Sequence, residues 1–295
     1  MKMKDSSHHR KRMIVIILAV LFILASIALL FSNISLTVSR YTVFSDKVTG
    51  SLRLVFLSDL HGREFGESNA RLLEKIAGEE PNIIVLAGDL FDRESDEEDI
   101  DRVCAFIAEA GKIAPVYFGM GNHEMGISGM AWAELAERIE QAGAVVLEAE
   151  YVDTEINGTP LRIGGYAGYY RTPQMDTSDA ARQEELMRFF DDFEDTDRFK
   201  LLINHVPTNW LDWGYRDKAP VDLVLSGHYH GGVVRIPILD RGAYAPYVGW
   251  FPPYTKGLFA GEKATCVLTA GLAGAKGLPR FFNPPEIVTV ELDAG

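Results

Sequence analysis

The chain has 295 residues and ordinary apolar content, enough for one large domain with a sizeable core plus a terminal segment. Its formal net charge is -13, but the first forty residues hold six basic side chains against Asp5 alone, which leaves 23 basic against 41 acidic residues over 41–295. So acidic a domain repels nucleic-acid backbones, and no nucleic acid is expected as a partner. Cys104 and Cys266 form no Cys-x-x-Cys pair or Cys/His cluster, which excludes a zinc finger. Both lie in apolar runs and are expected as unpaired, buried small hydrophobes.

Residues 1–12 form a basic tail with Lys2, Lys4, Arg10, Lys11 and Arg12. Residues 13–31 are 19 apolar or small residues without a charge, close to the ~20 that cross a bilayer as a helix. A soluble core helix would carry a polar face, and this run has almost none. The basic cluster before it keeps the N-terminus in the cytoplasm under the positive-inside bias. The expectation is a single-pass cell-membrane protein with the domain beyond the anchor extracytoplasmic. A cleaved signal peptide is the rival reading. The run exceeds the ~7–15 residues of a usual signal h-region, and the small-residue site Ser26-Ile27-Ala28 is followed by more apolar residues. A retained anchor is therefore expected, with residues 32–50 as a tether and 51–295 as the domain.

Beyond the tether, short apolar runs end in polar clusters. Residues 52–57 lead to Ser58-Asp59, 83–87 to Gly88-Asp89, 116–118 to Gly121-Asn122-His123, 201–203 to Asn204-His205, and 221–225 to Ser226-Gly227-His228. Such runs suit buried strands. Helical patterns lie between the early ones, at 70–78 behind Ser68-Asn69, at 95–110 and at 130–141. Residues 151–157 and 161–166, separated by Gly158-Thr159-Pro160, read as a hairpin, and 265–269 and 287–292 as late strands. The fold class expected is α/β: two packed mixed sheets flanked by helices, a four-layer αββα sandwich, with one N-terminal transmembrane helix. No internal repeat or low-complexity segment is evident.

Every one of these strand ends supplies a side chain of metal-ligand type. Asp59 and His61 lie two apart, Asp89 and Asp92 follow the second run, Asn122 and His123 the third, His205 the fourth, and His228 and His230 the fifth. In extended backbone, residues i and i+2 share a face, so each such pair could aim two ligands into one site. The chain has seven histidines. His8 and His9 lie in the tail, and the other five all fall in these clusters. Buried structural histidines would scatter more widely.

In order and spacing, Ser58-Asp59-Leu60-His61-Gly62, Gly88-Asp89-Leu90-Phe91-Asp92, Gly121-Asn122-His123-Glu124, Asn204-His205 and Gly227-His228-Tyr229-His230-Gly231-Gly232 resemble the five-block signature of calcineurin-like metallophosphoesterases. The match covers residues 50–293. Gly277-Leu278-Pro279-Arg280 and Pro284-Pro285-Glu286-Ile287 are similar to the membrane-associated branch of bacterial phosphodiesterases, some of which cleave a lipid A precursor. The resemblance implies that Asp59, His61, Asp89 and His230 hold one metal ion. It implies that Asp89, Asn122, His205 and His228 hold a second, with Asp89 bridging. Mixed oxygen and imidazole donors suit Mn, Fe or Zn better than a magnesium cage. Two such divalent or trivalent ions, about 3.5–4 Å apart, would lower the pKa of a shared water and deliver hydroxide to phosphorus.

His123 then serves the leaving group, and Asp92 fixes its tautomer. A plain turn role is the bland alternative for Asp92. Asn204 could orient His205 or simply shape a turn. Aromatic groups at Tyr166, Tyr169 and Tyr170, at Trp210 and Trp213, and at Tyr244, Tyr247, Trp250, Phe251 and Tyr254 are mostly expected as packing. Residues 249–260 are the best candidate for an apolar substrate rim or a lipid contact, because Trp and Tyr settle at membrane interfaces. Arg171, Arg235 and Arg280 are candidates for a phosphate or diphosphate. The expected function is hydrolysis of a phosphodiester or diphosphate, whose substrate is a small molecule or a lipid or envelope component. The alternatives are a metal-binding envelope protein and a non-catalytic interaction module on the same fold.

Overall fold

The computed structural model describes residues 3–295 apart from 238, 240, 247, 276 and 277, with side chains from residue 9 onward. Tyr247, Gly277 and the side chain of His8, all named above, lie outside the described residues. Helix α1 (Met3–Ile34) is followed by β1 (Thr37–Ser45), β2 (Leu52–Leu57), α2 (Ala70–Gly78), β3 (Ile83–Ala87), α3 (Glu97–Gly111), β4 (Val116–Gly119), α4 (Trp132–Gln141) and β5 (Ala144–Leu147). Then come β6 (Glu150–Ile156), β7 (Thr159–Gly165), α5 (Ala180–Glu194), β8 (Phe199–Ile203), the short α6 (Thr208–Leu211) and β9 (Leu223–Ser226). Two small ribbons follow, β10 (Arg235–Ile236) with β11 (Arg241–Gly242) and β12 (Tyr244–Ala245) with β13 (Gly249–Trp250). Strands β14 (Gly257–Ala260), β15 (Thr265–Leu268) and β16 (Glu286–Ala294) complete the chain.

Two six-stranded sheets form, in the orders β1-β16-β2-β3-β4-β5 and β14-β15-β9-β8-β7-β6. Both are mixed: β2 to β5 run parallel, and β16 pairs antiparallel with β2. The two-residue period of the strands builds the layers. On β2, Leu52, Leu54 and Phe56 face the space between the sheets, where Phe199, Leu201, Ile203, Leu223 and Leu225 meet them. Val55 and Leu57 point the other way, into a core shared with α2, α3 and α4. Leu202 and Val224 face Leu186, Phe190 and Phe193 of α5. Three apolar layers between four structural layers confirm the expected αββα sandwich. Helix α3 starts as its sequence dictates, with Asp96 and Asp99 in a reciprocal capping box.

Residues 9–34 of α1 are long and apolar enough to cross a membrane, with large side chains such as Phe22 exposed. Ser26 folds its hydroxyl back onto the Phe22 carbonyl (2.9 Å), which satisfies that hydroxyl within the helix. The tether expected at 32–50 is corrected. Only Ser35 and Leu36 separate α1 from β1, and β1 pairs along its whole length with β16. The join is also stapled. Asn33 Nδ2 donates to the Arg280 carbonyl (2.9 Å), the Asn283 N–H donates to Ser32 Oγ (3.3 Å), and Arg63 donates to the Asn33 carbonyl. Arg71 donates to the Ile34 carbonyl (3.3 Å), so two cations satisfy the last turn of α1, the negative end of its dipole. Cys104 and Cys266 are both free, the first half-buried and the second buried.

Candidate metal centre

The five motif loops leave the sheets on one side and interlock through their own backbones. The Asp59 N–H donates to the Gly88 carbonyl (3.1 Å), the His61 N–H to Asp89 (3.0 Å), and the Gly227 N–H to His205 (3.0 Å). Carboxylates finish the weave: Asp89 Oδ1 accepts the His123 N–H (2.8 Å) and Asp59 Oδ1 accepts the His228 N–H (3.0 Å). Glycine is required at the tightest crossings. A Cβ on Gly121 would overlap Asp89 Oδ1, and one on Gly227 would overlap Ser58 Oγ.

The backbone reaches these positions differently from the sequence expectation. Asp59, His61, Asp89, His228 and His230 all have positive φ, between 46° and 71°. The spaced pairs therefore sit in tight turns and not on extended backbone. The turns separate His228 from His230, which join different groups. Asp59, His61 and His230 converge within 4.8 Å, as do Asp89, His205 and His228. Asp89 lies between the groups, with Oδ2 3.1 Å from His205 Nε2 and 3.9 Å from His61 Nε2. Holding so many non-glycine residues in the left-handed region costs energy that the surrounding fold supplies, a pattern concentrated at functional sites.

The donor atoms fit a cation. Both ring nitrogens of His61, Asn122 Oδ1 and His205 Nε2 are buried without a hydrogen-bond partner among the described residues. Buried polar atoms are ordinarily paired, so a cluster of orphans of ligand type marks a place for an ion. The second nitrogens are held in orientation. His205 Nδ1 donates to the Ala87 carbonyl (2.7 Å) and His230 Nδ1 to the Ala273 carbonyl (3.2 Å), which leaves each Nε2 facing inward. Burial pushes His61 down to about 4, against the pull of Asp89. Burial and the adjacent His205 charge push His228 down to about 3, so both imidazoles are neutral and able to ligate near pH 7. Burial opposes charge on His205 as well, but Asp89 overrides it and raises the group to about 10.

His123 and Asp92 form a third cluster with His61 at the cleft edge, with His123 Nδ1 3.0 Å from Asp92 Oδ1. Against the burial that raises it, the Arg93 N–H, His61 and His123 hold the Asp92 carboxyl below its ordinary value. Asn204 is structural. Its amide donates to the Tyr166 and Gly168 carbonyls and accepts from Trp210 Nε1 (2.6 Å), leaving nothing to orient His205.

The three arginines expected to meet phosphate do not. Arg171 pairs with Asp191 and Glu194 on α5. Arg235 is buried, donating to the Gly231 carbonyl and to Thr255 Oγ1. Arg280 is fully buried and satisfies the Asn283, Ala273 and Ala270 carbonyls, bracing the loop that holds His230 Nδ1. Tyr166, Tyr170 and Trp210 pack in the core as expected, whereas Trp250 and Phe251 are exposed (74% and 59%).

Sequence reasoning gave no role to Glu124. Its buried carboxylate accepts four backbone N–H groups, from Asp89 (2.9 Å), Leu90 (2.8 Å), Phe91 (3.1 Å) and Gly121 (2.8 Å). An acid placed directly after Gly-Asn-His, in a turn too tight to expose it, was the available signal. Arg93, which lines the cleft with His61, Asp92 and Asn122, was also missed.

A two-sheet α/β sandwich with converging Asp, Asn and His ligands beyond its strands defines a class of metal-dependent phosphoester hydrolases. The sequence model of the calcineurin-like phosphoesterase family matches residues 52–232, and the chain belongs to that family. It is similar to a metallophosphoesterase of Aquifex aeolicus (strain VF5), 28% identical over 87% of this chain and 92% of the relative. It is also similar to phosphodiesterase YaeI of Escherichia coli (strain K12), 27% identical over 86% of each chain. Metallophosphoesterase YkoQ of Bacillus subtilis (strain 168) is 26% identical over 63% of this chain, and the match spans 63% of that relative's length. Phosphopantetheinyl hydrolase PptH from Mycobacterium tuberculosis superposes with a TM-score of 0.46 at 16% identity, over 76% of this chain and 91% of that one.

Proposed function

We propose that the chain hydrolyses a phosphodiester or diphosphate of a lipid or envelope component at a centre of two metal ions, from an anchored position at a membrane. The observation that carries this reading is the convergence of side chains of ligand type from five separate loops, with buried atoms of His61, Asn122 and His205 unbonded among the described residues. In it, Asp59, His61, Asp89 and His230 hold one ion, and Asp89, Asn122, His205 and His228 the other. When bound, the ions supply a nucleophile from water at neutral pH and polarise the phosphoryl oxygens.

The remaining work falls to the protein's own side chains. His123, held through Nδ1 by Asp92, turns Nε2 to the cleft and donates a proton to the departing ester oxygen. Asp92 fixes the ring's orientation and tautomer. Glu124 keeps the Asp89 and His123 loops in register, so that acid and ligands meet one substrate.

The apolar α1 supports the membrane assignment, as do the exposed apolar side chains of Trp250, Phe251, Leu278 and Phe282. Phe282 and Pro284 share an apolar groove with Leu24, Ile27 and Phe31 of α1. Phe282 therefore extends the apolar surface of the span onto the domain, and in this reading the basic tail lies on the cytoplasmic side and the domain outside. The test is turnover of bis-p-nitrophenyl phosphate by the purified full chain in detergent. A chelated sample should be inactive, and Mn, Fe or Zn should restore it. No turnover with two ions bound per chain would contradict the reading.

A further inference from the structure

Arg280 and Asn283 take no part in the chemistry, yet each is fully buried and hydrogen-bonded both to the end of α1 and to the loops around the metal centre. The Asn283 backbone N–H donates to Ser32 Oγ (3.3 Å), and its Nδ2 donates to the His230 carbonyl (2.7 Å) and the Val233 carbonyl (3.1 Å). A single residue thus joins α1 to a candidate metal ligand. The turn that Asn283 clasps is strained. His230, Gly231, Gly232 and Val233 follow one another at φ of 46°, 63°, 78° and 57°. Left-handed backbone is unfavourable for residues other than glycine, most of all for a β-branched one such as Val233. By bridging the first and last carbonyls of this turn, Asn283 holds His230 in a conformation that the chain would otherwise leave. Arg280 braces the neighbouring side. Its carbonyl accepts from Asn33 Nδ2 (2.9 Å), and its guanidinium donates to the Ala270 carbonyl (2.6 Å) and to that of Ala273. Ala273 in turn accepts from His230 Nδ1 (3.2 Å) and donates its N–H to the Asp59 carbonyl (2.6 Å).

These contacts reach Asp59 and His230, two members of one ligand group. The other group is braced from elsewhere, with His205 Nδ1 on the Ala87 carbonyl and the Asp89 loop on Glu124. We propose that Asn283 is a positioning residue for His230 and makes the end of α1 part of the metal centre, so that the ion held by Asp59, His61 and His230 binds tightly only while α1 is docked through Ser32 and Asn33. This rests on the two-ion reading above and makes one of its two sites depend on the anchor. An α1 lifted off the domain frees Asn283 and Arg280, lets the His230 turn relax, and releases that ion first. The other ion keeps its own braces and stays.

The experiment titrates Mn(II) into the metal-depleted full chain in detergent, by calorimetry and by low-temperature electron paramagnetic resonance, which separates a coupled Mn pair from a lone ion. Wild type, Asn283→Ala, Ser32→Ala and Asn33→Ala are compared. His230→Ala, which removes one ligand of the ion in question, marks which binding event is which. Loss of a residue that orients a ligand predicts that Asn283→Ala weakens this ion by about 10–100-fold and the other by less than about threefold, with the pair spectrum giving way to that of a lone ion. Ser32→Ala and Asn33→Ala each remove one ordinary hydrogen bond at the α1 side and should weaken the same ion by about 3–10-fold. They leave the metal loops untouched, so they carry the test even where Asn283→Ala yields no folded chain. Equal losses of both ions would overturn the inference, as would an unchanged affinity in Asn283→Ala or in both α1 variants. Bis-p-nitrophenyl phosphate turnover on the same samples reports on the hydrolase reading separately. Its absence in a wild type that holds both ions, beside a site weakened by the α1 variants, would sink that reading and leave the coupling standing.

Discussion

His123 is held by two aspartates at once: its Nδ1 lies 3.0 Å from Asp92 Oδ1, and its backbone N–H donates to Asp89 Oδ1 at 2.8 Å. One bond aims the ring and the other fixes the loop to the residue between the two ligand groups. Removing the ring should therefore leave the ligand cage intact. His123→Ala is expected to keep its metal content and lose about 10²–10⁴-fold in kcat on a poor leaving group, with a smaller loss on nitrophenolate. Asp92→Asn should cost about 10–100-fold by misorienting the ring. Metal analysis beside kinetics on two leaving groups checks this, and loss of an ion from His123→Ala would move His123 into the ligand set.

Glu124 offers a structural prediction. Each of its carboxylate oxygens accepts two backbone N–H groups, so Glu124→Gln must turn an amide NH₂ toward two donors. Each buried donor left unpaired costs about 1–3 kcal/mol. Urea unfolding should show a loss of several times the experimental error, with weakened metal affinity because Asp89 shares the turn. A variant as stable as wild type would mean the turn relaxes to admit the amide.

Metal loading should release protons. Without an ion, His205 is charged at pH 7.5, because Asp89 raises it to about 10 despite its burial. His61 and His228 are already neutral, at about 4 and about 3. Ligation through His205 Nε2 must therefore expel about one proton per chain from this residue. That contribution should fade as pH rises past 10, where the ring has already lost it. Titration calorimetry in buffers of different ionisation enthalpy reads it directly, and a buffer-independent heat at pH 7.5 would rule it out.

Much of this site was legible because its chemistry is local. Each ligand type follows directly on an apolar run, and five such runs in order resembled a known family before any coordinates. What escaped depended on partners distant in sequence. The strand at Thr37–Ser45 pairs with the far C-terminal strand, so its neighbour is invisible from its own segment. Helix Ala180–Glu194 was overlooked although Leu186, Phe189, Phe190 and Phe193 repeat at helical spacing behind an Asp179 cap. Arg280 looked like a phosphate ligand because the carbonyls that occupy it come from a loop whose path the sequence does not reveal.

Away from the metal cleft, Glu148 gives a pH dependence of stability. The Ala167 N–H donates to Glu148 Oε2 (3.0 Å), and burial pushes the carboxyl up to about 8 from an ordinary value of 4.5. A group raised in the folded state stabilises fully below its unfolded pKa, and that stability is lost as pH rises through the folded one. The chain should therefore melt progressively lower between pH 4.5 and about 8. Glu148→Gln should flatten the profile and raise the midpoint at pH 8 relative to wild type. Parallel melting curves for the two proteins across that window would exclude Glu148 as the source.

The central claim is that Asp89 joins two ion sites, and the metal-to-protein ratio of wild type and Asp89→Ala tests it most directly. Mass spectrometry of the purified, Mn-loaded full chains should find about two ions per wild-type chain and close to none in the variant, because the carboxylate proposed to bridge both ions is lost. A variant that still holds two ions, or a wild type that holds none, would contradict it.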